Sequence, residues 1–109
     1  MSGSIEMVSF KLNSGVTDEA FLSASQKIEP WVGKQPGFEY RALAKQQDGT
    51  WVDLVFWQSE AAAQAAGEKF MQASEPQEMM ACIDKDTVTM QHMPVMAAFC
   101  METAKTAVA

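Results

Sequence analysis

The chain has 109 residues, of which 48% are hydrophobic and 20% charged, and it carries a net charge of −6 at neutral pH. This length predicts one domain over residues 1–109, and the composition excludes a disordered chain, because it supplies enough apolar surface for a hydrophobic core. The acidic balance argues against nucleic acid or an anionic membrane as a partner, and no apolar run approaches the ~18–20 residues that cross a bilayer. The first residues lack the basic and apolar parts of a secretion signal, so we expect a cytoplasmic protein.

The cysteines and the histidine do not indicate a metal or redox site. Cys82 and Cys100 are too far apart in the sequence for a CxxC motif, and we expect two buried or half-buried thiols. His92 is the single histidine and has no second histidine or cysteine at ligand spacing. The sequence carries no flavin motif either, so no metal and no cofactor is expected.

The first part of the chain has a strand pattern followed by a helix pattern. Residues Ile5–Leu12 are apolar in both alternating sets, which predicts a strand covered on both faces. Thr17 and the two acidic residues after it are typical of a helix start, and one apolar stripe then continues to Val32. The glycines and the proline in residues Gly33–Gly37 predict the end of this helix.

Two strands joined by a tight turn are expected next. Residues Phe38–Lys45 alternate between a polar set and an apolar set, which predicts an edge strand whose apolar set is Phe38, Tyr40, Ala42 and Ala44. Arg41, the single arginine, falls in the polar set, where a solvated charge is expected. Asp48–Gly49 indicates a hairpin with positive φ at both residues. Residues Thr50–Gln58 are apolar on both sides, so this strand should be central.

The last part of the chain repeats the helix and strand order. Ser59 predicts a second helix, which has an alanine-rich buried stripe ending at Ala73, and Ser74 indicates a further short helical start. Residues Thr87–Met93 alternate as a final strand. Residues 96–109 form an apolar tail that we expect to dock, across a subunit boundary if the chain is a dimer.

The order strand, helix, strand, strand, helix, strand predicts a ferredoxin-like α+β domain (βαββαβ) with an antiparallel sheet. Right-handed connections place the first strand beside the third and leave the second and fourth at the edges. Two helices cover one face of such a sheet, and the other face, which is also apolar, needs a partner. A second copy of the chain is the simplest partner, because two-fold dimers are the commonest soluble assemblies.

Two segments carry a family resemblance. Residues Gln35–Phe38 and Trp51–Ala62, within this order of elements, resemble the antibiotic biosynthesis monooxygenase-like group of the dimeric α/β-barrel superfamily, over about residues 5–95. The resemblance implies a homodimeric α/β barrel with a pocket between sheet and helices. It identifies Trp57 with the strand-three tryptophan that lines the pocket in enzymatic members. This chain departs from the group at Val55, where members often carry an acid, and in the following helix, which lacks a histidine.

Five residues are candidates for a site. His92 is a candidate general base, because histidine is the side-chain type whose unperturbed pKa is near neutrality; the alternative is a structural histidine at a strand end or dimer seam. Asp53 is a candidate for proton transfer on an inward-facing set, and the alternative is an ion pair with Lys11 or Arg41. Aromatic residues are either substrate-binding walls or core, and these are Trp57, Tyr40 and Trp51.

Three functions are compatible with this pattern. The leading hypothesis is a cofactor-independent monooxygenase of a small aromatic or quinol-like compound: a base takes a proton, the carbanion reduces dioxygen, and aromatic walls exclude water. The second is a non-catalytic dimeric module that binds a ligand or a partner. The third is a haem-binding or haem-degrading protein with His92 as the axial ligand.

Overall fold

The structure, a computed structural model, describes residues 3–100 and contains four strands and four helices in that range. In chain order the elements are β1 (Ser4–Leu12), α1 (Asp18–Lys27), α2 (Glu29–Gly33), β2 (Phe38–Lys45), β3 (Trp51–Trp57), α3 (Glu60–Gln72), α4 (Gln77–Ala81) and β4 (Ile83–Pro94). None of the described helices is long and apolar enough to span a membrane. The strands and helices in this order confirm the predicted α+β class.

The four strands form one antiparallel sheet in the order β2-β3-β1-β4. This is the ferredoxin-like arrangement that the sequence predicts, with the two strands that are apolar on both sides in the centre. The helices cover one face of the sheet, which we call the helix face, and the opposite face is called the open face. Strand register assigns each side chain to one of the two faces, because successive residues alternate.

The starts of α1 and α3 are those that the sequence predicts, whereas α4 begins after Pro76 without a side-chain cap rather than at Ser74, and the first helix is divided. The hydroxyls of Thr17 and Ser59 accept from the backbone N–H groups of Ala20 and Ala62, each at 3.1 Å. The apolar stripe predicts one helix through to Val32, whereas α1 ends at residue 27 and α2 begins at residue 29. The reason is Pro30, which has no N–H to continue the helical hydrogen bonds.

The hairpin between β2 and β3 is confirmed, although its turn differs from the predicted one. Gly49 has a φ of +92°. In the described range only glycines have a positive φ, so Asp48 does not have the predicted conformation. The loop closes instead through Gln46, whose N–H donates to the carbonyl of Thr50 at 2.7 Å, and the carboxylate of Asp48 accepts from the Thr50 N–H. This loop is longer than the predicted two-residue turn, and a longer hairpin loop needs a positive φ only at its glycine.

A bulge in β2 changes the face on which several of its residues lie. Phe38 pairs with Trp57, yet Tyr40 pairs with Phe56, so one residue is inserted between them. The expectation that Phe38 and Tyr40 share a face is therefore wrong, because the inserted residue reverses the alternation. Phe38 and Arg41 lie on the helix face, and Tyr40 lies on the open face.

The last strand is longer than its alternation indicates. Residues 83–86 continue β4 beyond the predicted start at Thr87, and they pair with β1 after a second register shift, as in the pair of Lys11 with Asp84. The hydroxyl of Thr87 accepts from the Lys11 N–H and donates to the carbonyl of Asp84. Because this irregularity interrupts the period of two, the sequence pattern starts only after it.

The hydrophobic core of the helix face consists of two clusters. The first lies beneath α1, α2 and α4 and contains Phe10, Phe21, Ala24, Ile28, Val32, Trp51 and Met79. The second lies beneath α3 and contains Val55, Trp57, Ala63 and Ala66. Along β3, Asp53 lies between Trp51 of the first cluster and Val55 of the second. Polar groups therefore interrupt the apolar packing at the centre of this face.

The open face carries an apolar surface that no helix covers. Its central strands contribute half-buried Ile5, Met7, Val52, Leu54 and Phe56. At the C-terminal side, the Val95 N–H donates to the carbonyl of Gly3 at 2.9 Å, and residues 95–100 form no helix or strand. The rest of the tail predicted to dock, residues 101–109, lies outside the described residues.

Candidate functional site

Three residues from three strands meet on the helix face, and we call them the site cluster: Glu6, Trp57 and His92. Register brings them together, because Glu6 of β1 pairs with His92 of β4 on one side and with Val55 of β3 on the other. Trp57 is two residues beyond Val55 and so lies diagonally across from Glu6 on the same face. Residues far apart in the sequence thereby become neighbours.

Glu6 is the central member of the site cluster. Its Oε1 accepts from the indole Nε1 of Trp57 at 3.2 Å, and its Oε2 lies 3.9 Å from Nε2 of His92. The side chain of Glu6 is 15% exposed and that of His92 is 28% exposed. The carboxyl is therefore held by the tryptophan on one side and faces a histidine within reach of solvent on the other.

The surroundings of Glu6 favour its neutral form. Burial raises the pKa of Glu6 above the ordinary glutamate value, and the nearby charge of Asp53 adds to this, while the Trp57 hydrogen bond and His92 lower it. The net result is a raised pKa. A carboxyl of this kind can exchange a proton closer to neutral pH than a solvated glutamate does.

Asp53 forms a second acid and base pair on the same face. Its carboxylate accepts from Nε of Arg41 at 3.0 Å and from Nη2 at 2.8 Å. Arg41 also donates to Oγ of Ser25 at 3.0 Å, and its Nη2 lies 3.7 Å from Sδ of Met79. The two charged side chains are 10% and 13% exposed. The structure thus gives Asp53 the partner Arg41 rather than Lys11, and the expectation of a solvated Arg41 is wrong, because the β2 bulge turns this side chain inward.

The candidate aromatic residues lie in three different environments. Trp57 belongs to the site cluster and stacks edge-on against Phe38 at 5.8 Å. Trp51 is buried in the first core cluster, 4.8 Å from the ring of Phe21. Tyr40 lies on the open face, 5.5 Å from the ring of Phe56. Of the five sequence candidates, Trp57 and His92 are in contact with Glu6, Asp53 is close by, and Trp51 and Tyr40 are apart from the site cluster.

An exposed apolar surface lies beside His92. Val88 and Met90 precede it on β4 and alternate with it onto the same face, and they are 41% and 56% exposed. Met90 pairs with Val8, the helix-face residue next to Glu6 on β1. A ligand at this point would find apolar contacts next to a carboxyl and an imidazole.

The sequence reasoning missed Glu6, although a signal was present. Glu6 falls in the alternating set of β1 that also contains Val8, Phe10 and Leu12, so it is the one charged member of an inward set. A carboxyl in such a position needs partners, because burying it without them is costly. Within residues 3–100, no group of three histidine, cysteine or acidic side chains could hold a metal ion.

Comparisons with known proteins give relatives by structure and none by sequence. No protein-family model matches the chain, and no curated protein is similar to it. The chain is similar in structure to SnoaB, a cofactor-independent oxygenase from Streptomyces nogalater, with a TM-score of 0.63, 16% identity and coverage of 94% of this chain and 99% of that one. It is also similar to a candidate antibiotic biosynthesis monooxygenase from Bordetella bronchiseptica, with a TM-score of 0.69, 16% identity and coverage of 85% and 96%.

A third similar structure is a protein of unknown function from Nitrosomonas europaea, with a TM-score of 0.68, 15% identity and coverage of 93% and 96%. At these identities the likeness concerns the fold, and a fold hosts several functions. The resemblance predicted from the sequence is confirmed at that level: this chain has the antibiotic biosynthesis monooxygenase-like fold.

Proposed function

We propose that this protein is a cofactor-independent monooxygenase that oxidises a small aromatic or quinol-like compound at the site cluster. The observation that carries the proposal is the Glu6 and His92 pair, which lies 3.9 Å apart beside the Trp57 indole. The likeness to a cofactor-independent oxygenase supports the reaction class. Proton transfer is the step that such a reaction requires of the protein, because the carbanion itself reduces dioxygen.

His92 is the proposed base. Its imidazole is 28% exposed, so it can accept a proton from an activated carbon, and the Glu6 carboxyl 3.9 Å away is close enough to orient it. With anthrone as the example, one ring-methylene proton leaves and the carbanion adds dioxygen to give a hydroperoxide. Loss of the second methylene proton with cleavage of the O–O bond then gives anthraquinone and one molecule of water. Met90, which alternates with His92 on β4, is proposed to contact the flat ring, while Trp57, which is 4% exposed and donates to Glu6, is proposed to position that carboxyl.

Asp53 has a different place in this proposal. The sequence leaves it as a second candidate acid or base, but its carboxylate accepts bonds from Arg41 at 2.8–3.3 Å. We therefore propose that Asp53 acts through its charge on Glu6 rather than by receiving the substrate proton. Trp51 and Tyr40, which lie apart from the site cluster, are proposed to stabilise the core and the open face respectively.

The open face is proposed to pair with a second copy of the chain in the cytoplasm. Its apolar residues on β1, β2 and β3 are half-buried in one chain and lie on a face that has no helix. Covering them would remove apolar surface from water at roughly 25 cal/mol per Å². Light scattering at micromolar concentration should give twice the mass of 12.0 kDa; a monomer at that concentration would contradict the dimer.

The test of the reaction is oxygen uptake with anthrone and a panel of naphthols. We expect consumption of one O₂ for each anthraquinone formed, and a loss of roughly 10²-fold or more in the rate for His92→Ala. Glu68→Gln, an exposed change on α3, is the matched control and should retain the rate. If no compound of the panel is consumed faster than in buffer, the monooxygenase proposal is wrong.

Two other outcomes would favour the alternative functions. Saturable binding without turnover would favour the ligand-binding module. A Soret shift with haemin that His92→Ala abolishes would favour the haem-binding protein.

A further inference from the structure

The basic side chains of the helix face that lie on β2 are already paired. Arg41 donates three hydrogen bonds to Asp53 at 2.8–3.3 Å and one more to Ser25. Lys45 bonds to Asp18 at 2.9 Å and lies opposite Trp51, at the other end of β3 from the site cluster. Neither cation is therefore available to balance the charge of a ligand next to Glu6.

Three elements pack against β1 and surround Glu6, namely β3, β4 and α3. From β4 it faces His92, and from β3 it faces Trp57 and Asp53, whose charge is met by Arg41. Helix α3, which contacts β1 and β3, carries charged side chains that are all exposed to solvent, namely Glu60, Glu68 and Lys69. Among residues 3–100, the groups next to Glu6 are thus the His92 imidazole and the Asp53 carboxylate, and the cation nearest to them, Arg41, is already bonded to Asp53.

Such an environment separates ligands by charge. A hydroxyl group can donate to Glu6 or exchange its proton with His92, and a neutral aromatic ring can rest on Val88 and Met90. A ligand carboxylate would instead meet a second carboxylate. Two such charges about 6 Å apart, at an effective dielectric constant of about 20, repel each other by an amount that lowers affinity roughly a hundredfold.

We propose that the site cluster selects neutral hydroxyaromatic compounds over the same rings bearing a carboxylate, and that Glu6 sets this selectivity. The inference rests on the proposed function for the location of the ligand, but it concerns binding and can be measured without turnover. It also has a consequence for haem, whose two carboxylates place it among the rejected ligands.

Proton linkage supports the same selectivity. Because the pKa of Glu6 is raised in the folded protein, Glu6 takes up a proton more readily than a solvated glutamate does when an anionic ligand binds beside it. The affinity for a carboxylated ligand should therefore fall as the pH rises, whereas the affinity for a neutral ligand of the same size should change little.

The experiment is a calorimetric titration of the full chain with three related probes. These are 2-naphthol, 6-hydroxy-2-naphthoate and the methyl ester of the latter, which has nearly the size of the acid without its charge. At pH 8 we expect the naphthol and the ester to bind, and the carboxylate to bind at least tenfold more weakly than the ester. Glu6→Gln should reduce that ratio to about threefold or less, while Glu6→Asp and the exposed control Glu68→Gln should retain it.

Several results would overturn the inference. Equal or tighter binding of the carboxylate would do so, as would a ratio that Glu6→Gln leaves unchanged or that Glu68→Gln reduces equally. Absence of binding by both neutral probes would overturn it as well. The proposed function fails separately: the expected selectivity with no oxygen uptake would contradict the monooxygenase and leave the charge selection standing.

Discussion

Two acid and base pairs lie on the helix face, and they differ in how completely the protein satisfies them. The Arg41 and Asp53 pair is closed: its side chains are 10% and 13% exposed, and its bonds link β2, β3 and α1. The Glu6 and His92 pair is open: Oε2 of Glu6 and Nε2 of His92 are 3.9 Å apart, and the side chain of His92 is 28% exposed. The same chemical types thus occur in a tightly bonded form and in a loose one, a short distance apart.

The difference shows how burial assigns a role to a charged pair. Removing one partner of a buried, fully bonded pair leaves an uncompensated charge, which is strongly destabilising. A pair with a long contact and a solvent-facing partner has spare hydrogen-bonding capacity, which a ligand can use. In this fold the closed pair fixes the strands, and the open pair is the one that can take part in chemistry.

Removing one partner of the closed pair should have the largest effect on stability. Asp53→Ala leaves the guanidinium of Arg41 buried without its counter-charge, and we expect a loss of about 3–5 kcal/mol in the free energy of unfolding. Urea denaturation followed by circular dichroism measures this. Glu78→Ala is the control, because it breaks an ion pair with Lys27 whose side chains are about 60% exposed and should cost less than about 1 kcal/mol. Similar losses for both variants would mean that the closed pair is not the structural one.

The next effect concerns α3, the helix that packs over Val55 and Trp57. Gly37 has a φ of +85°, and a Cβ at this position would lie 2.6 Å from Cβ of Ala62 on α3. Gly37→Ala should therefore lower the free energy of unfolding by about 1–3 kcal/mol, through backbone strain and displacement of α3. Ala62→Gly relieves the contact but has a helix cost of its own, so it is also measured alone. In that background Gly37→Ala should cost less than in the wild type but still something, because the positive φ remains, and thermal denaturation should show this partial recovery. Full recovery or none would each contradict this division of the effect.

Much of the fold could be predicted from the sequence because it depends on periodicity. The central position of β1 and β3 follows from apolar residues in both of their alternating sets, and the caps at Thr17 and Ser59 follow from local hydroxyl chemistry. These features are local or nearly so, and each is repeated over several residues. A single irregular position does not hide them.

The candidate site could be predicted only in part because it depends on register. Alternation places Arg41 in a solvated set, and one inserted residue at the start of β2 moves it to the core. The pairing of Glu6 with His92 joins residues that are 86 positions apart, and it is set by the alignment of β1 with β4 after an irregular segment. Trp57 could be identified because it lies on a regular strand and carries a family resemblance.

The smallest effect separates the two pairs by pH. Because the pKa of Glu6 is raised in the folded protein, the folded state binds more protons than the unfolded state between the two pKa values. The contribution of Glu6 to stability is therefore complete at low pH and is lost as the pH rises from the ordinary glutamate value through the folded one. Glu6→Gln removes this dependence, so the wild type should lose stability relative to the variant over that pH range.

Urea denaturation of both proteins at intervals from pH 4 to pH 8 gives the difference in unfolding free energy. We expect it to move steadily in favour of Glu6→Gln and then level off, with little difference in stability at low pH because the amide retains an acceptor for the Trp57 indole. The control Glu68→Gln should give no such trend. A difference that moved in favour of the wild type with rising pH would mean that Glu6 is held as a charged partner of His92, and the open pair would then be a salt bridge like the closed one.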